Sequence, residues 1–196
     1  MGRHTLSMLG LCGAALALSL QAVAAQQEFS PANRQRGKAA VEYRDSDVHI
    51  VAAYYYSQRN HESHWLMIEA AMSTNDPETI ARDAIALRTP EGREIPLASQ
   101  RRVGEDVNRV RRLLQNASTV DHDVVSYFVQ RDRAESMNLF TLPFGDVVHD
   151  SFVVDRDRVA AGRLFFESPT GAWEDGTYAL IVRHADGTAE LPIVLE

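Results

Sequence analysis

Cysteine is almost absent: Cys12 is the only one in 196 residues. It lies inside an apolar run from Leu6 to Leu20, which follows a short basic start at Arg3 and His4. The small residues of Gln21-Ala22-Val23-Ala24-Ala25 come next. A basic start, an apolar middle and a small-x-small end are the three parts of a secretory signal peptide, here residues 1–25, cut after Ala24 or Ala25. The run is shorter than the roughly 20 residues a spanning helix needs. Leu11 precedes Cys12, where a lipidated cysteine would follow a small residue. The mature chain is then free of disulfides, thiol nucleophiles and thiolate metal sites. Roughly 170 residues remain, enough for one hydrophobic core.

Other absences narrow the function. After the leader no stretch is apolar and long enough to span a membrane as a helix. Lys38 is the only lysine, and the 20 basic residues face 27 acidic ones for a net charge of −7. Such a chain lacks the basic footprint of a general nucleic-acid binder. It carries no Gly-x-Ser-x-Gly elbow, P-loop or Gly-x-Gly-x-x-Gly fingerprint. The expectation is a periplasmic or secreted protein with no transmembrane segment once the leader is removed.

What is present reads mostly as strand. Residues 26–37 are polar, with one Pro and one Gly, and read as a flexible lead-in. Strand character appears at Ala39–Tyr43, Val48–Tyr56 and Trp65–Met72, the last placing Leu66, Ile68, Ala70 and Met72 on one face. Thr89-Pro90-Glu91-Gly92 is a turn between Asp83–Arg88 and Arg93–Leu97. Asp123–Gln130, Leu139–Leu142, Val147–Val154 and Arg163–Glu167 follow as further strands. Thr177–Arg183 and Thr188–Leu195 form a hairpin through Ala185-Asp186-Gly187, with Pro192 putting the last strand at an edge. The exception is a stretch at about 104–117. There Val107, Val110, Leu113, Leu114 and Ala117 make one helical stripe, with Arg109 and Arg112 away from it. Many short strands with punctuated turns predict an all-β fold, an antiparallel β-sandwich with one inserted amphipathic α-helix, spanning 38–196.

Glu174-Asp175-Gly176-Thr177-Tyr178-Ala179-Leu180 resembles the tyrosine corner of immunoglobulin-like domains. The resemblance implies that the Tyr178 hydroxyl caps a nearby backbone group, that Leu180 is buried, and that Trp65 stands as a core Trp on an early strand. It covers about 20 residues by motif and the rest by strand count. The inserted helix and the length of the chain depart from it. The architecture carries no particular activity.

Three groups of residues are candidates for function. Tyr54-Tyr55-Tyr56, read as strand, turns Tyr55 outward, and with Trp65 and Met67 it would form an exposed aromatic patch of the kind that binds proteins, peptides or sugars. The competing arrangement has the inserted helix covering this face as a second core layer. His61, His64, His122 and His149, with acidic neighbours, would suit zinc or copper and a possible hydrolase. However, His61-Glu62-Ser63-His64 departs by one position from the zinc-peptidase spacing, and adjacent residues of a strand face opposite ways. Arg101, Arg102, Arg109, Arg111 and Arg112 form a basic cluster suited to an anionic lipid or acidic partner, or a solvated face paired with acids. The leading expectation is a non-catalytic binding or adaptor module without cofactor, contacting a protein or another envelope component through Tyr55, Trp65 and Met67. The alternatives are a histidine metal site and an anionic-lipid binder using Arg109 and Arg112.

Overall fold

The computed structural model describes residues 29–59, 64–120, 123–129, 134–143, 145 and 147–196. The signal-peptide segment, His61 and His122 lie outside the described residues.

Strands β1 (Asn33–Gln35), β2 (Ala40–Arg44) and β3 (Val48–Ala53) lead into a short helix α1 (Tyr55–Arg59). Strands β4 (Trp65–Thr74), β5 (Glu78–Ala81), β6 (Ile85–Arg88) and β7 (Glu94–Pro96) precede helices α2 (Gln100–Glu105) and α3 (Val107–Ala117). Then come β8 (Ala134–Ser136), β9 (Ser151–Val154), β10 (Val159–Glu167), β11 (Gly176–His184) and β12 (Gly187–Leu195). One sheet runs β1-β2-β3-β4-β10-β8, a second runs β12-β11-β6-β7, and β5 pairs with β9. All pairings are antiparallel except β8 with β10. The fold is therefore mostly β, as expected.

The two larger sheets share a core. Alternation sends Val41, Ile50, Ile68, Leu164 and Phe166 of the six-stranded sheet into one buried cluster with Leu87, Leu180, Leu191 and Ile193 of the four-stranded sheet. Gly162 sits opposite Ala70 in β4. A Cβ at Gly162 would lie 3.0 Å from the Met137 Cβ, so the glycine lets Met137 close over the strand without being pushed back. The outer side of the four-stranded sheet is closed by charge. Arg88 makes two bonds to Glu190, at 2.9 and 2.8 Å, and Arg183 reaches Glu94 at 2.5 Å. The register places Arg88 beside Ala179 and Glu190 beside Ile181, so the pair spans β11, whose Ala179 and Ile181 are fully buried. β12 is an edge strand, as Pro192 predicts.

The opposite side of the six-stranded sheet is buried as well. Trp65, Met67 and Phe165 pack with Val103, Val110, Leu113 and Ala117 of α2 and α3. Beside them, Ala40, Val51, Ala53 and Ala71 pack with Val124, Phe128 and Val159. The layers are thus sheet, sheet, helix. The single helix read at 104–117 is two helices that meet at Asp106, whose backbone leaves helical geometry (φ −115, ψ 28). Its carboxylate accepts a bond from Trp65 Nε1 at 2.8 Å. α2 begins at Ser99, whose hydroxyl accepts from the Arg102 N–H. Arg102 in turn makes a forked pair with Glu167 on β10, its guanidinium 5.9 Å from the Trp65 ring. Tertiary contacts to Trp65 fix the break and seat both helices on the sheet.

Several segments differ from the sequence reading. Asp123–Gln130 is no strand. The Asp123 carboxylate accepts from the N–H groups of Val125 and Ser126 and caps a 3-10 turn over Val124–Tyr127. Tyr54 ends the extended run, and Tyr55 opens α1. Leu139–Leu142 has no strand pairing, and only Ser151–Val154 of the 147–154 stretch is strand. β1 lies within the segment read as a lead-in, and Asn33 Nδ2 donates to the Glu190 carbonyl at 2.9 Å.

Candidate functional site

The aromatic patch is corrected by the burial. Trp65 is fully buried and Met67 is 3 % exposed, because α2 and α3 cover the face they share. Tyr55 is half-buried at the start of α1 and packs against the clusters on both faces of the sheet, its hydroxyl 3.5 Å from the Arg36 carbonyl oxygen, so it offers no exposed patch with Trp65 and Met67. The arginines are spread over different tasks. Arg102 is tied to Glu167, Arg109 lies 3.8 Å from Asp106, Arg101 lies 3.9 Å from Glu105, and Arg112 is exposed on α3. His64 is half-buried just before β4, and its carbonyl accepts from the Ser168 N–H at 2.7 Å. His149 is exposed, and its N–H donates to the Asn138 carbonyl. Among the described residues no three His, Cys, Asp or Glu side chains are grouped to hold a metal ion.

Two clefts open on the helical side. The first, about 220 Å³, lies between the helices and a strap of chain, Ser136–Leu142. Val103, Val110, Leu114, Phe140, Leu142 and Phe165 give it an apolar side, while Ser136, Asn138, Thr141 and Arg163 make the rest of its lining polar. The strap is held in place. Gln100 donates to the Thr141 carbonyl at 2.9 Å and accepts from the Thr141 N–H at 3.1 Å. Arg82 bonds the carbonyls of Leu139 and, at 2.9 Å, Ala98, with its guanidinium 4.9 Å from the Phe140 ring centroid. Phe140 meets Phe165 edge-on at 5.1 Å. The walls are thereby set before any ligand arrives.

The second cleft, about 350 Å³, is polar and includes Arg44, Asp45, His49, Ser73, Phe128 and Arg156 in its lining. At its inner edge Glu42, 3 % exposed, bonds His49 Nε2 at 2.8 Å and Arg36 Nε at 2.6 Å. The Phe128 ring lies 4.1 Å from the imidazole, centroid to centroid. Burial pushes the Glu42 carboxyl up, but the Arg36 hydrogen bond and the charges of His49 and Arg36 outweigh it and hold the group below the ordinary carboxylate value. Burial lowers His49 below the ordinary imidazole value even though Glu42 pulls it back up. The result is an ionised acid and a neutral imidazole near pH 7. Sequence reasoning missed this pair. The available signal was a lone acid inside Ala39-Ala40-Val41-Glu42-Tyr43, an otherwise apolar strand.

At one end of the sandwich the Tyr178 hydroxyl donates to the Glu174 carbonyl at 3.0 Å, and its ring meets Trp173 at 5.8 Å. The bond is the one expected of a tyrosine corner, and Leu180 is fully buried. Trp65 is buried at the start of β4, but beneath α2 and α3 and not between the two sheets, where an immunoglobulin-like domain keeps its core Trp.

The chain matches no family profile, and no curated protein resembles it in sequence. One solved structure similar to it is a candidate lipoprotein of Bacillus subtilis, at a TM-score of 0.40 and 10 % identity. The match covers 78 % of this chain and 38 % of that one, so this chain spans well under half the length of its structural neighbour.

Proposed function

We propose that this protein is an extracytoplasmic binding module on an immunoglobulin-like sandwich, and that it takes one bulky apolar side chain of an envelope protein into the cleft between α2, α3 and the Ser136–Leu142 strap. The observation that carries the reading is the preformed cleft itself, with one apolar side, a tethered strap and about 220 Å³ of volume. That space suits a single Leu, Met or Phe anchor rather than a whole drug-sized ligand, whose pockets run to roughly 300–1,000 Å³. Buried anchors of this kind dominate protein interfaces. The signal-peptide pattern supports the compartment, and the Tyr178–Glu174 bond supports the immunoglobulin-like likeness.

Photo-crosslinking in cells tests it, with the probe at half-buried Leu114 on the cleft wall and, for comparison, at Arg101 on the solvent side of α2. A discrete adduct from Leu114 alone, lost when Leu142→Arg blocks the cleft, supports the module. Equal adducts from both positions, or one indifferent to Leu142→Arg, would count against it.

A further inference from the structure

A row of three polar side chains crosses three neighbouring strands on the helical side of the six-stranded sheet: Glu42 on β2, His49 on β3 and Ser73 on β4. His49 and Ser73 are direct partners in the β3–β4 register. Directly opposed residues share a face with Cβ atoms roughly 4.5–5.5 Å apart. Glu42 approaches the imidazole from the other neighbouring strand and holds Nε2. An ionised carboxylate only accepts, so Nε2 carries the ring proton and Nδ1 keeps its lone pair. Among the described residues, neither Nδ1 nor the Ser73 hydroxyl makes another hydrogen bond, so the two are register neighbours that are not yet bonded to each other. His49 and Ser73 line the same cleft of about 350 Å³, whose wall also carries Arg44, Asp45, Asp47 and Arg156.

We propose that Ser73, His49 and Glu42 form an acyl-transfer triad that hydrolyses small esters. Ser73 is the nucleophile and His49 the general base, both catalytic residues. Glu42 is a positioning residue: with Phe128 packed on the ring, it fixes the imidazole's tautomer and orientation. The Ser73 oxygen bonds to the ester carbonyl carbon while its proton passes to His49 Nδ1. The carbon–oxygen bond to the leaving alcohol then breaks, and His49 protonates the departing alkoxide. Water attacks the acyl-serine and gives its proton to His49. The carbon–Oγ bond breaks, and the proton returns to Ser73. The balance is ester plus water to acid plus alcohol. A neutral imidazole near pH 7 suits the base role.

The test uses the secreted, leader-free chain with a fluorophosphonate probe and 4-nitrophenyl acetate. The expected results are one probe adduct, on the peptide holding Ser73, and turnover of the ester. Ser73→Ala loses the adduct, and His49→Asn loses at least about 100-fold in hydrolysis, both with native circular dichroism. Glu42→Gln lowers kcat more than it raises KM and shifts the pH–rate profile, which a purely structural role would not do. Ser118→Ala, at the far end of α3, leaves labelling and turnover intact. A folded protein with no adduct at Ser73, or hydrolysis that survives Ser73→Ala, would overturn the triad. The triad occupies a different cleft from the proposed anchor site, so the crosslinking result bears on neither outcome.

Discussion

Truncating Leu113 to alanine measures how firmly the helices belong to the core. Leu113 is 2 % exposed and sits on α3 in the cluster that includes Trp65, Met67 and Phe165. Leu→Ala in a packed core removes transfer energy and leaves a cavity, for a total of about 3 kcal/mol within a range of 2–5. A surface substitution on a loosely attached helix shifts stability by only about 0.5 kcal/mol. The two cases are well separated. Urea unfolding followed by far-ultraviolet circular dichroism reads the difference. With slopes of about 1–3 kcal/mol per molar, the midpoint should fall by on the order of 1–3 M with the slope unchanged. Leu113→Met, which conserves volume, should lose less than about 1.5 kcal/mol. A midpoint for Leu113→Ala within experimental error of the parent would refute the three-layer account, because no buried cluster would then depend on this side chain.

Further predictions follow from single contacts. Tyr178→Phe removes the hydroxyl bonded to Glu174 but keeps the ring against Trp173, so it should cost about 1 kcal/mol in the same unfolding assay; no loss would show that the corner contributes nothing. Stability should decline as the solution is acidified, for two reasons with the same sign. The folded His49 resists protonation while the unfolded one accepts a proton, so stability falls as pH drops below the ordinary imidazole value. Glu42, held below the ordinary carboxylate value, adds stability above that value and loses it as pH falls through its own lowered one. In His49→Phe the decline between neutral pH and the ordinary carboxylate value should flatten, as measured by urea midpoints across pH, and an unchanged slope there would contradict this assignment.

How much was legible varied with how local the causes were. The β11–β12 hairpin carried its turn residues, its alternation and its edge proline in a few consecutive positions, and the strands pair over their full length. The apolar stripe of Val110, Leu113 and Ala117 likewise predicted α3. The break at Asp106 was not legible, because it is stabilised by Trp65, 41 residues earlier in the chain. The aromatic patch failed for a related reason. Alternation showed that Trp65 and Met67 share a face but could not show what lies on it. Sequence reasoning offered solvent or helix, and the helix is what covers them. Asp123 was misread because a side chain bonding its own backbone competes with strand pairing, and that competition leaves no mark on the hydrophobic pattern. The cleft beside His49 depends on three strands being adjacent, a matter of topology that periodicity does not contain.

The central claim is that the six-stranded sheet is buried on both faces, with Trp65 roofed by α2 and α3. The chain has two tryptophans, so Trp173→Phe leaves Trp65 as the sole reporter. Acrylamide quenching of that variant is the most direct measurement. A blue-shifted emission that acrylamide barely quenches, and that becomes quenchable when Leu113→Ala loosens the roof, is the predicted result. Red-shifted emission quenched as freely as in the unfolded chain would contradict the account.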